Sequence, residues 1–202
     1  MNLQEITLQR VTPSEQKRFQ SLMETHHYLG SLRKIGHTLW YVVSYKNEWL
    51  ALISFSAASW KCAARDQWIG WHYRYQYDRL HLIANNSRFL ILPEHHYPNL
   101  ASRILSLCER RRSQDWQNHF SYPLLLLETF VDPLYFHGTI YRAANWTLPV
   151  IRAGFVALAK ATAQLRNNLS RSLCALYHHA LKLDYLNLFL TLVIAMEHQK
   201  SC

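Results

Sequence analysis

Apolar and polar residues alternate over residues 5–11, EITLQRV, as they do in a short strand with one buried face. The pattern changes at Thr12. Thr12, Pro13 and Glu15 make a T-x-x-E capping box with proline in the first turn. Phe19, Leu22 and Met23 then recur at helical spacing, so a helix is predicted. HHYLGSLRKIGHT, from His26, reads as a connector with two glycines. LWYVVSYK and EWLALISFSA are strand-like runs on either side of Asn47 and predict a hairpin, although no glycine marks its turn. WKCAARDQWIGWHYRYQY is aromatic and basic with no clear period, and reads as a helix and a loop. In RLHLIANNSRFLILP an apolar strand is broken by Asn85, Asn86, Ser87 and Arg88, which suggests a bulge.

Pro98 and Asn99 open a second helix. Leu100, Ile104, Leu105 and Cys108 line one face of it, and Arg110, Arg111 and Arg112 are expected to end it, where cations complement the helix dipole. YPLLLLETFVDP is a continuous apolar strand suited to a sheet interior. YFHGTIYRAANW reads as a loop and a short helix. The predicted order is β, α, β, β, β, α, β, α. The fold class is therefore α/β, or α+β, with a mixed sheet of about five strands. No internal repeat is visible.

Half of the 202 residues are hydrophobic, enough for a real core. Lysine and arginine number 22 against 13 acids, a formal charge of +9 that favours polyanionic partners, nucleic acid, anionic lipid or a phosphate-rich ligand, without choosing among them. Cys62, Cys108, Cys174 and Cys202 make no CxxC pair, so neither a metal site nor a disulfide scaffold is expected, and the reading is a reduced cytoplasmic protein. The first residues are polar and unlike a signal peptide. YLNLFLTLVIAM, at 185–196, is too short to span a bilayer, so no membrane partner is expected. No Walker A loop, HExxH or GxSxG occurs.

Several groups could carry chemistry. Asn85, Asn86, Ser87 and Arg88 could bind a substrate or phosphate if the strand end opens a cleft, Arg88 supplying a bidentate fork. The alternative is that the asparagines satisfy backbone groups at a bulge and Arg88 pairs with Asp66 or Glu128. Glu128 and Asp132, at the end of an inner strand, could supply a general base, or Glu128 could pair with Arg88 or Arg142. His27 could be a catalytic base, being titratable near neutrality, or could cap its helix. Arg65, Arg74, Tyr141, Arg142, Asn145 and Trp146 interleave cations, polar groups and aromatics, and could stack on bases and hold phosphates. Aromatic stripes also form cores, and spacing does not separate the two readings.

HHYLG, RDQWIGW, IANNSRFLILP, NLASRIL, LLETFVDP and GTIYRAANW occur in this order, and the chain so resembles the DruA family, known from the Druantia anti-phage defence system and found beside transposase modules in bacteria. The resemblance covers residues 5–149. The helical N-terminal region usual in relatives has no counterpart in this sequence. The resemblance implies a defence or mobile-element protein, with DNA and other defence-system or transposase proteins as partners. The strand order also resembles the GNAT acyltransferase fold, which implies a ligand at the start of the second long helix, on Asn99, Ser102 and Arg103. The Q/R-x-x-G-x-G/A loop that brings backbone amides to a cofactor pyrophosphate is missing there, so no cofactor is expected. After YRAANW, relatives continue with a segment like VGDTRGFxRT, whereas this chain reads TLPVIRAGFVALAKATAQLRNN. A one-base deletion near Pro149 would leave 150–202 out of frame, a non-family tail whose ALAKATAQL and LVIAM runs favour helix. The division expected is 1–149, a DruA-like domain, and 150–202, the tail. Three functions follow from the resemblance: a DNA-engaging defence module, a GNAT-related transferase acting on nucleic acid or a small acceptor, and an inactive remnant.

Overall fold

The computed structural model describes residues 1–161, apart from 32, 35, 60, 61, 70, 72–76, 153 and 154. All of these lie in the first of the chain's two units, Met1–Leu165. Chain order is β1 (Thr7–Arg10), α1 (Gln16–His26), β2 (Thr38–Tyr45), β3 (Glu48–Ala57), α2 (Ala63–Ile69), β4 (Ile83–Ile91), α3 (Leu100–Phe120), β5 (Leu126–Val131), α4 (Thr139–Ala143), β6 (Thr147–Arg152) and β7 (Phe155–Ala161). The seven strands form one sheet in the order β1-β2-β3-β4-β5-β7-β6. Every pairing is antiparallel except β4 with β5.

Local signals in the sequence are realised. The Thr12 N–H donates to Glu15 Oε2 at 2.8 Å, closing the capping box ahead of α1. The β2–β3 hairpin turns on Lys46 and Asn47, both at positive φ (47° and 67°), so the turn forms without glycine. The β4 bulge lies at Ser87: Phe55 faces Asn86 and Ser54 faces Arg88, leaving Ser87 as the extra residue.

Alternation along the strands sends residues to two layers. Leu39, Tyr41, Ile53, Phe55, Ala84, Leu127 and Val131 pack with α3 residues Leu100, Ile104, Leu105, Cys108 and Trp116. On the opposite face Phe19 and Met23 of α1 cover Trp40, Val42, Leu52 and Leu90, with Phe19 stacked on Trp40 at 4.8 Å.

Two expectations are corrected. The arginine run does not end α3, which continues to Phe120. Arg112 is fully buried, one turn beyond Cys108 on the core face, with its guanidinium 3.9 Å from the Phe55 ring centre, and burial pulls its pKa down to about 10. Arg111 is the exposed member, paired with Asp115 at 2.9 Å. The mixed sheet expected is present, and residues 147–161, expected to be a tail, extend it with a β6–β7 hairpin whose β7 pairs along β5. The first part of ALAKATAQL is thus strand rather than helix. Pairing with a neighbour overrides the helix preference of its alanines. LVIAM, Cys174 and Cys202 lie outside the described residues.

Candidate functional site

β4 and β5 pair only at Ile83–Leu126, Ala84–Leu127 and Asn85–Glu128. Beyond that the two strands part, and their residues divide between two environments by the same alternation that builds the layers.

Glu128 points to the α2 face. It is 3% exposed, and Arg65 Nη1 donates to both its oxygens at 3.1 and 3.0 Å. Arg65, itself 1% exposed, also holds Asp66, through Nε at 2.9 Å and Nη2 at 2.8 Å. Asn85 stands beside Glu128 in register, and Asn85 Oδ1 and Asp66 Oδ2 are buried without hydrogen-bond partners among the described residues. Two carboxylates share one guanidinium. Burial raises the Glu128 pKa against the opposing pull of Arg65, and the neighbouring Asp66 raises it further. Arg65 is therefore an interior cation and has no surface from which to touch a nucleic-acid phosphate. It is also the partner that Glu128 was expected to find in Arg88 or Arg142. Glu128 does not line the cleft described next.

On the other side the parting strands open a cleft of about 600 Å³. Asn86, Ser87 and Arg88 of β4 line it, with Thr129, Phe130 and Val131 of β5, Tyr141 of α4, and His26 to Leu29 after α1. Of the four residues expected at a crevice, Asn86, Ser87 and Arg88 line the cleft. Asn85, by contrast, faces α2. The floor is tightly bonded. The Tyr141 hydroxyl donates to Asn86 Oδ1 at 2.6 Å, and Asn86 Nδ2 donates to the Ser54 and Arg88 carbonyls. Thr129 Oγ1 donates to the Asn86 carbonyl. Burial lifts the Tyr141 pKa to about 12, so the phenol keeps its proton at neutral pH.

Arg88 ties the connector after α1 to β4. It donates to the carbonyls of Gly30, Ser87 and Leu29. His27 lines the cleft beside it, and its Nδ1 accepts the Leu29 N–H at 3.1 Å. Burial, and then the Arg88 charge, lower the His27 pKa to about 4. The imidazole is thus neutral and its remaining proton sits on Nε2, so it presents a donor to the cleft. Asp132 is turned away: its carboxylate accepts the Leu134 N–H at 2.9 Å and starts the turn after β5.

A second hollow of about 440 Å³ adjoins the cleft at the start of α3, sharing Ile91, His96, Ala101, Thr139 and Ile140 with it. Asn99 and Ser102 line it. Asn99 is the N-cap at φ 63°, and the Ser102 hydroxyl turns back to the Asn99 carbonyl. Arg103 reaches elsewhere, to Leu3 O and Gln4 Oε1, and fastens the N-terminal segment. Of the residues predicted to contact nucleic acid, Tyr141 and Trp146 are buried, the latter with Nε1 on Glu109 at 2.8 Å. Arg142 and Asn145 are exposed. Arg74 lies outside the described residues.

Sequence reasoning missed the rim. Tyr28, Tyr135 and Phe136 come from two separate connectors, yet their rings meet at 5.2–6.4 Å while remaining about half or more exposed. The available signal was a set of aromatics in turn-like stretches that no strand or helix period could bury.

The family described as Druantia protein DruA matches residues 2–171. No curated protein matches the chain. Among solved structures, AAC(6')-Ib in complex with ribostamycin and coenzyme A superposes with TM-score 0.52 at 9% identity, over 81% of this chain and 96% of that one. FeeM, an N-acyl amino acid synthase from uncultured soil microbes, superposes with TM-score 0.50 at 12% identity, over 80% and 93%. The fold is that of the GNAT acetyltransferases, as the strand order implied. Among the described residues no helix is long and apolar enough to cross a membrane, and no group of three or more His, Cys, Asp or Glu could hold a metal ion.

Proposed function

Since the chain belongs to the DruA family, we propose that it is a defence-system protein working as a GNAT-related transferase, with the β4–β5 cleft as its reaction site. The observation that carries this reading is Tyr141, a protonated phenol on the floor of a cleft opened between two parted strands, anchored by Asn86 at 2.6 Å. Beyond Asn85 the β4 backbone makes no ladder pair with β5, and past the Asn86 carbonyl, which Thr129 holds, an extended ligand can lie along it as an added strand. An activated acyl donor placed there would lose its leaving group as an acceptor amine attacks the carbonyl carbon. The C–N bond forms and the bond to the leaving group breaks. Tyr141 gives its proton to the leaving group and recovers one from solvent, and the acceptor nitrogen releases its own proton to solvent. The fold relatives support acyl transfer as the reaction type. Asn99 and the inward-turned Ser102 make a poor cradle for a pyrophosphate, so the donor is not gripped as coenzyme A would be by a glycine-rich loop.

The test is acyl transfer from a panel of acyl thioesters to primary amines, followed by mass spectrometry. Tyr141→Phe is expected to slow transfer about a hundred-fold or more, the usual size of a general-acid contribution, with the fold retained. Transfer by the wild type at the background rate, or an unimpaired Tyr141→Phe, overturns the reading.

A second reading, engagement of DNA, is favoured by the net charge of +9 and by the exposure of Arg142 at the end of α4, beside the cleft. DNA would then present the acceptor. Arg142→Ala should reduce the salt slope of DNA binding by about one. Association with other defence-system or transposase proteins belongs to this same reading. The out-of-frame origin of 150–202 is a separate proposal. Its departure from the expected family segment supports it, and the strands at 147–161 and the family match to 171 speak against it. The nucleotide sequence of the gene tests it.

A further inference from the structure

We infer that the ligand of this cleft is an amphiphile, with a linear hydrocarbon portion inside and an anionic or carbonyl head at the mouth beside Arg88. The inference concerns binding and goes beyond the Tyr141 step, which acts at the floor and not at the mouth; its evidence is the chemistry of the walls. Polar side chains deep in the cleft already use one another. Tyr141 and Asn86 are bonded together, Thr129 is bonded to the Asn86 carbonyl, and the Ser87 hydroxyl bonds Ser54 at 2.8 Å. Phe89, Leu90, Ile91, Phe130, Val131 and Ile140 supply most of the apolar wall, beside His96, His137 and Thr139. A nucleobase lying against Asn86, Thr129 and Tyr141 would surrender hydrogen bonds to water and find those side chains already bonded to one another, whereas methylene groups lose nothing and gain burial.

The head group is selected at the entrance. No Asp, Glu or Lys is among the described lining residues, and Arg88 is the permanently charged one. Its three bonds to carbonyls leave two of its five N–H groups for a ligand. His27 adds a neutral donor beside it. The exposed rings of Tyr28, Tyr135 and Phe136 flank the opening and would cover the chain as it enters.

The experiment is equilibrium binding of hexanoate, octanoate, decanoate and dodecanoate to the full chain, below their micelle concentrations, by calorimetry. Affinity is expected to rise about four-fold for each added methylene until the cleft is full. Dodecyltrimethylammonium should bind about ten-fold more weakly than dodecanoate, since it cannot use the Arg88 donors. Ile140→Trp, at a partly exposed position on the cleft wall, should abolish the chain-length dependence while keeping the wild-type melting curve. No chain-length dependence, equal binding of the cationic amphiphile, or an adenine nucleotide displacing dodecanoate at a lower concentration each overturns the inference. Thioester transfer that depends on Tyr141 but ignores chain length would sink the ligand class and leave the transferase reading standing. Chain-length-dependent binding without any transfer would do the reverse.

Discussion

The two faces of the β4–β5 junction are built from neighbouring residues yet are opposite in character. Asn85 and Glu128 turn to α2 and meet a buried cluster of one guanidinium and two carboxylates. Asn86 and Thr129, one residue along each strand, turn to α4 and floor an open cleft whose wall is mostly apolar. Glu128, the carboxylate that looks most catalytic in the sequence, is thus sealed away, while the cleft is lined by a phenol, an amide and a neutral imidazole, with Arg88 beside them. The difference teaches that charge in a motif marks what must be compensated inside the fold as often as what meets a substrate. Arg65, Asp66 and Glu128 hold α2 onto the sheet where it begins to split. The parting of the strands is stabilised from one side and left open on the other.

Breaking the closed face should have the largest effect. Arg65→Met removes the cation from two buried carboxylates and is expected to cost about 3–5 kcal/mol, read as a loss of thermal and denaturant stability. Glu128→Gln should cost far less, about 1 kcal/mol or under, because Asp66 still balances Arg65 and one of two like charges beside it is removed. It should also leave ligand affinity in the cleft unchanged. Lost binding in a folded Glu128→Gln protein would mean that the two faces act as one site.

On the open face, Tyr141→Phe leaves Asn86 Oδ1 without its donor in a buried position. It is expected to cost about 1–3 kcal/mol of stability in chemical denaturation, less than Arg65→Met and more than Glu128→Gln. A larger loss than for Arg65→Met would place the structural burden on the cleft rather than on the salt-bridged face.

How far the sequence foretold this division depends on the range of the interaction involved. Short-range features were legible: the Thr12–Glu15 box, the hairpin at Asn47 and the irregularity at Ser87 each depend on residues a few positions apart. The polar break at Asn85–Arg88 was legible in part for the same reason, since four polar residues in an apolar strand must either find partners or face an opening, and three of the four line the cleft. The partner of Glu128 was not, because Arg65 lies 63 residues away and nothing local distinguishes it from the exposed Arg142. The length of α3 was misread because an arginine run resembles a helix terminus. Yet Cys108, Arg112 and Trp116 continue one face, and Arg112 packs flat on Phe55 instead of reaching water. The β6–β7 hairpin was missed because small residues that favour helix in isolation become strand only when β5 offers an edge.

The smallest effect expected lies at the entrance to the cleft. His27 has a lowered pKa in the folded chain, about 4 against an ordinary 6.5, so between those values the unfolded chain binds the proton more readily. The stability tied to a neutral His27 is complete above pH 6.5 and is lost as the pH falls through that window. Because the ring is only half-buried beside Arg88, the difference is screened by solvent. Wild type should lose roughly 2–4 °C more in melting temperature than His27→Gln on going from pH 7 to pH 5. His27→Gln with the same pH profile as wild type would mean that the imidazole is open to water and already exchanges its proton freely. The connector held by Arg88 would then be a loose rim, and the contrast between a sealed face and an open one would extend to the very edge of the cleft.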